Sequence, residues 1–125
     1  MTESEHRLRH RVTELRYAKA SKELKVSFED GKSFLLPAEY LRVESPSAEI
    51  QGHSPSQKQT IGGRRHVGIM AIEPVGSYAV RIRFDDLHDT GLYSWDYLRK
   101  LGEEQGSIWA DYLVRLQEKG LSREP

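Results

Sequence analysis

The chain has 125 residues, enough for one domain around one core and too few for that core plus a separate cofactor domain. Nineteen basic residues balance nineteen acidic ones, so no long-range field gathers nucleic acid or an anionic membrane surface. There is no cysteine, which excludes disulfides, thiolate–metal sites and cysteine nucleophiles and agrees with a reducing, cytoplasmic setting.

Residues 1–11 are charged and aperiodic and read as a loose arm without the apolar segment of a signal peptide. No run approaches the roughly 20 apolar residues that span a bilayer. Leu15 and Tyr17 alternate with Glu14 and Arg16; Leu24, Val26 and Phe28 then alternate with Lys25, Ser27 and Glu29. Period two puts one set on the core face of a strand and the other in water. Residues 29–32 supply a turn, with Gly31 free to take positive φ, and residues 33–36 return as the second strand of a hairpin. Residues 37–42 predict one helical turn with Pro37 at its first position. Residues 44–65, rich in Ser, Gly, Pro and Gln, predict a long loop.

Beyond His66, Val67, Ile69 and Ala71 share one strand face, with Gly68 and Met70 opposite. Residues 74–77 turn the chain. Tyr78, Val80, Ile82 and Phe84 then alternate with Ala79, Arg81 and Arg83, a second hairpin with its arginines in water. Ser94 is placed to N-cap a helix over residues 95–101 that Gly102 would close. Ser107 is placed to cap a last helix with an apolar stripe of Ile108, Trp109, Tyr112, Leu113 and Leu116, stopped by Gly120. No internal repeat is read. The expected fold class is α+β: antiparallel β-hairpins form a small sheet core, with helices at the C-terminal end. One domain is expected over residues 12–120, followed by a tail at 121–125.

The chemistry concentrates in the turn after Phe84. His88 sits among Asp85, Asp86 and Asp89, and imidazole with carboxylates can hold iron, zinc or manganese. The same residues are also ordinary turn formers, because Asp accepts local backbone hydrogen bonds. None of His6, His10, His53, His66 or His88 has an acid two residues later, so the iron-oxygenase His-x-Asp/Glu signature is absent. Serines 45, 47, 54 and 56 lie near His53, but no Gly-x-Ser-x-Gly elbow exists. Gly62-Gly63-Arg64-Arg65 could cradle an anion, although the Walker spacing is missing. Arg81 and Arg83 share a face, but Tyr78 and Phe84 fall opposite, which disfavours single-strand stacking. Tyr93, Trp95, Tyr97, Trp109 and Tyr112 read first as core, with Tyr93 and Trp95 also able to anchor a partner.

These segments carry a resemblance. Residues 24–31, 36–43, 45–49 and 84–98 together are similar to the DUF971 family, also called the gamma-butyrobetaine hydroxylase-like N-terminal domain, over about residues 13–103. The resemblance implies a module that in the hydroxylases precedes a separate iron- and 2-oxoglutarate-dependent domain, and that also occurs attached to P-loop iron–sulfur cluster carriers. It implies a zinc site of three cysteines, in a Cys-Pro-Cys-x-x-Cys run, and one histidine from a Gly-His step. Here that run reads Ser45-Pro46-Ser47-Ala48-Glu49-Ile50, and the Gly-His step reads Leu87-His88. Only His88 remains, which argues against zinc. If that turn needs positive φ, Leu87 is strained.

The expectation is a stand-alone, non-catalytic accessory module that binds a protein partner or a small ligand, with no membrane or nucleic-acid partner and no firmly implied cofactor. Its expected surface joins the 85–95 turn to the 44–65 loop, with Asp86, His88, Asp89, Tyr93, Trp95, Arg64 and Arg65 as contacts. The alternative is an iron-binding protein, or a component of iron, iron–sulfur or oxygenase metabolism, with His88 as ligand and His53 or His66 joining it.

Overall fold

The computed structural model describes residues 10–125, so the expected arm lies almost wholly outside the described residues. Two three-stranded antiparallel sheets form the frame. The first holds β1 (Val12–Ala18), β2 (Glu23–Phe28) and β3 (Ser33–Pro37), in that order. A short helix α1 (Ala38–Val43) and a single turn α2 (Ala48–Gln51) follow. The second sheet holds β4 (Ile69–Val75), β5 (Ala79–Phe84) and β6 (Leu92–Ser94). Helices α3 (Trp95–Glu103) and α4 (Gln105–Glu118) close the fold, which is α+β.

The alternation read in β2 and β5 makes the core. Leu24, Val26 and Phe28 meet Val80, Ile82 and Phe84 in one buried cluster, joined by Leu36, Tyr40, Leu41, Tyr93, Leu98 and Leu101. Both sheets therefore share one apolar interior, and α1 and α3 lie against it. Val43, Tyr112 and Leu116 form a smaller cluster under Trp109.

Several local features differ from the sequence pattern, each for a visible reason. The pairing of β4 with β5 slips between Ile69 and Ala71, a bulge that moves every later residue to the other face. Ile72, rather than Ala71, therefore packs on the core with Ile69, and Met70 is exposed. Pro74 stays in the strand because β4 is a sheet edge, where a missing N–H is tolerated. The turn comes later, at Gly76 (φ +58°), and Tyr78 is exposed instead of lining the buried face. Pro37 precedes the helix as its cap, with extended backbone (φ −61°, ψ 144°). The 44–65 segment contains α2 and one 3-10 turn, Pro55–Gln57.

Ser94 caps α3 as expected, its Oγ accepting the Tyr97 N–H at 3.1 Å. Ser107 does not cap α4; it lies inside the helix and donates back to the Glu104 carbonyl at 3.2 Å. Gly120 (φ +66°) ends α4 in a Schellman arrangement: the Leu121 N–H reaches Leu116 O and the Gly120 N–H reaches Gln117 O.

Gly102 is not the end of α3. It lies inside the helix because Phe34 packs flat on it; an added Cβ would sit 2.5 Å from the Phe34 ring. Gly102→Ala is therefore expected to destabilise the domain by about 1 kcal/mol. An overpacking cost of about 1–3 kcal/mol outweighs the roughly 1 kcal/mol that alanine gains in a helix. A denaturant midpoint at unchanged slope checks this.

Candidate functional site

The chain makes the same tight turn twice. At residues 28–32 the Phe28 N–H donates to Lys32 O (2.8 Å) and the Gly31 N–H to Phe28 O (3.0 Å). At residues 84–88 the Phe84 N–H donates to His88 O (3.0 Å) and the Leu87 N–H to Phe84 O (3.0 Å). Each is a three-residue hairpin loop: a type I turn followed by a residue in the left-handed region. The middle aspartate does the same work in both. Asp30 accepts the Lys32 N–H and Asp86 the His88 N–H, each at 3.2 Å. A buried arginine grips each aspartate: Arg99 on Asp30 (2.8 and 3.2 Å), Arg42 on Asp86 (2.7 Å). The Arg99 hydrogen bond holds the Asp30 carboxyl down to about 2. The correspondence is written in the sequence as Phe-acid-Asp-x-base, a span too short to stand out as an internal repeat.

The two turns differ at the third loop position. Gly31 takes φ +90° without a Cβ penalty; Leu87 takes φ +74° with one. That conformation costs a non-glycine residue about 1–2 kcal/mol. Leu87 is also 78% exposed, so burial does not offset the strain.

Behind Leu87 lies a densely paired polar cluster. Oδ2 of Asp86 accepts from Nε of both Arg42 and Arg64, each at 2.7 Å. Burial pushes the Asp86 carboxyl up, but the Arg42, His88 and Arg64 hydrogen bonds outweigh it and hold the group below the usual range. Arg42 is buried, and its Nη1 has no hydrogen-bond partner among the described residues. His88 is buried too. Its Nε2 lies 2.9 Å from the Oγ of fully buried Ser45, and its Nδ1 lies 3.8 Å from Glu49 Oε2. Ser45 Oγ also accepts the Ser47 N–H at 3.3 Å. Thr90 donates to Glu49 at 2.9 Å, which ties α2 to the far side of the turn.

Desolvation pulls the His88 pKa below the ordinary 6.5, helped by the Arg42 charge. The unfolded chain therefore binds that proton more readily. Stability from a neutral His88 is present above the unfolded value of 6.5 and is lost as pH falls through the lower folded value. Asp86, also lowered, adds an acid limb of the same sign beneath 3.8. The melting temperature is thus expected to fall on acidification below about pH 6.5, and His88→Gln to flatten that limb; a pH series of thermal melts reads both.

The other predicted residues are scattered. Asp89 is half-exposed, 3.9 Å from Arg83. Tyr93 is not an anchor: it is fully buried in the core and its hydroxyl donates to Leu41 O at 2.6 Å. Trp95 follows Ser94, which pairs with Ala79 at the start of β5, whereas the 85–88 turn leaves the end of that strand. Its Nε1 donates to Ser77 O at 2.8 Å, so the structure does not bring it to His88. Arg64 joins the cluster, but Arg65 turns away to Glu124 at 2.7 Å. The expected anion cradle is already filled by protein: the Gly63 and Arg65 N–H groups donate to the carbonyls of Ser122 and Arg123. Residues 122–124 are held there by Arg123, which grips Glu39 at 2.7 and 2.8 Å and lies over the Trp109 ring.

His53 and His66 are exposed, and among the described residues no three His, Asp or Glu side chains converge where a metal ion could be held. The donor set implied by the zinc resemblance does not fit that ion either. It comprises two buried serine hydroxyls, a buried isoleucine at position 50 and one imidazole, in place of three thiolates and an imidazole. No described helix is long and apolar enough to cross a membrane.

A family model described as gamma-butyrobetaine hydroxylase-like, N-terminal, matches residues 15–99. An NMR solution structure at 46% identity covers 93% of this chain and 86% of its own, with a TM-score of 0.81. A second, at 44% identity, covers 93% of this chain and 91% of its own, with a TM-score of 0.79. A crystal structure of a DUF971-family protein of unknown function from Acidithiobacillus ferrooxidans is 37% identical, covering 74% of this chain and 92% of its own with a TM-score of 0.63. No curated protein matches. The model match over most of the chain, together with these structural relatives, establishes that the chain belongs to the gamma-butyrobetaine hydroxylase-like N-terminal, or DUF971, family.

Proposed function

We propose that this chain is a non-catalytic accessory module that docks a protein partner through the 84–90 turn, with Leu87 as the contact knob. One observation carries the reading: a leucine occupies a left-handed position at 78% exposure, where the equivalent turn of the same chain uses glycine. Strain without compensating burial points to use of the side chain outside the fold. Asp85 and Asp89 lie two positions either side of Leu87, and Glu49 approaches the neighbouring His88 at 3.8 Å, so the partner surface inferred here is an apolar pocket with basic groups beside it. Asp86 and His88 hold the turn rigid from beneath, engaged with Arg42, Arg64 and Ser45. A cytoplasmic setting goes with this reading, as the cysteine-free composition suggests.

Leu87→Gly is the test. It relieves about 1–2 kcal/mol of strain and loosens the unfolded chain by about 0.5–1 kcal/mol. A net stabilisation of about 0.5–1 kcal/mol is expected, read as a raised denaturant midpoint. Capture of the partner by the same variant should fall at least about tenfold, the loss of one buried leucine contact. A variant that is more stable yet binds equally well removes Leu87 from the interface.

A further inference from the structure

We propose that the Ser45–His88 hydrogen bond joins the 45–51 segment to the 84–90 hairpin in this chain, doing without a metal the cross-linking that a tetrahedral ion would supply. The two residues are 43 positions apart and meet at 2.9 Å, wholly inside the protein. The serine hydroxyl holds two points at once, the Ser47 N–H at 3.3 Å and the imidazole at 2.9 Å. Gly91 packs directly against this hydroxyl: an added Cβ there would stand 2.6 Å from Ser45 Oγ.

Among the described residues, the buried Ser47 Oγ has no hydrogen-bond partner. Ile50, buried at the third position of the run, offers no donor at all. On its other side the hairpin is held by Asp86 between Arg42 and Arg64, whose paired guanidiniums also repel a divalent cation. The junction is thus fastened twice by hydrogen bonds and ion pairs, and the module keeps its shape whatever the local zinc supply.

Three measurements test the assignment on the full chain. Thermal midpoints of the wild type with EDTA, and with excess zinc chloride, should agree within about 1 °C. A zinc-dependent rise that His88→Gln removes would overturn the proposal. Ser45→Ala should speed amide exchange about tenfold or more in residues 45–51 and 86–91, with the β2 core still protected; unchanged exchange in those segments would overturn it.

Ser45→Cys/Ser47→Cys/Ile50→Cys should acquire one equivalent of cobalt(II), with thiolate charge-transfer absorption and a midpoint rise of roughly 10 °C or more, both lost with His88→Ala. A folded triple variant that takes no cobalt contradicts the placement of these positions around one point. If the triple variant fails to fold with or without cobalt, the Ser45→Ala exchange result alone decides.

Discussion

Asp86→Ala is expected to destabilise the domain by about 3–5 kcal/mol, the cost of stripping a buried ion of its counter-charge. Asp86 is the carboxylate between two guanidiniums, and Arg42 is only 7% exposed, with one nitrogen already unpartnered among the described residues. Without Asp86 the Arg42 charge has nowhere to go, and the His88 N–H loses its acceptor as well. Asp86→Asn keeps an acceptor for that N–H and should cost less. The twin turn supplies the control: Asp30 is half-exposed, and Arg99 would still hold Glu103 at 2.9 Å. Asp30→Ala should therefore cost clearly less than Asp86→Ala, although the two loops have the same backbone. Urea melts of the three variants measure the ordering; equal losses at 30 and 86 would contradict it.

Tyr93→Ala should cost a similar amount, about 3–5 kcal/mol, because it empties a fully buried aromatic site. Tyr93→Phe keeps the ring and leaves the Leu41 carbonyl without its donor, for about 1–2 kcal/mol. The distinction matters for function. A partner anchor replaced by alanine leaves folding intact and abolishes binding; a core residue unfolds the domain whether or not a partner is present. Burial also pushes the Tyr93 phenol far above its usual range, so the side chain stays neutral at any working pH.

The hairpins and their buried faces were legible because period-two alternation in residues 24–28 and 80–84 leaves one solution for which side chains go inside. The bulge at Met70 was not, because a single extra residue leaves no mark in composition yet reverses the facing of all that follows. Gly102 was misplaced as a helix end for a related reason: glycine marks both stops and close contacts, and only the Phe34 ring above it tells which.

At the site, the local cluster of Asp86 and His88 was visible in the sequence. Its meaning was not, since the partners come from far along the chain: Arg42, 44 positions from Asp86, and Ser45, 43 from His88. Those partners engage both side chains in hydrogen bonds within the fold. The departure at Leu87 could be suspected from sequence, but its significance rests on φ and exposure together. The expected pairing of Trp95 with His88 failed because seven residues along the chain here include a strand that carries Trp95 back to the opposite end of β5.

The central claim is that the 84–90 turn displays Leu87 to a partner. A photo-reactive residue placed at position 87, with a control at position 35 on the other sheet, tests it most directly; both leucines are exposed, at 78% and 55%. One discrete crosslinked species from position 87, absent from position 35 and suppressed by unlabelled wild type but not by Leu87→Gly competitor, is the result predicted here. Equal crosslinking from both positions, or competition by Leu87→Gly as strong as by wild type, would contradict it.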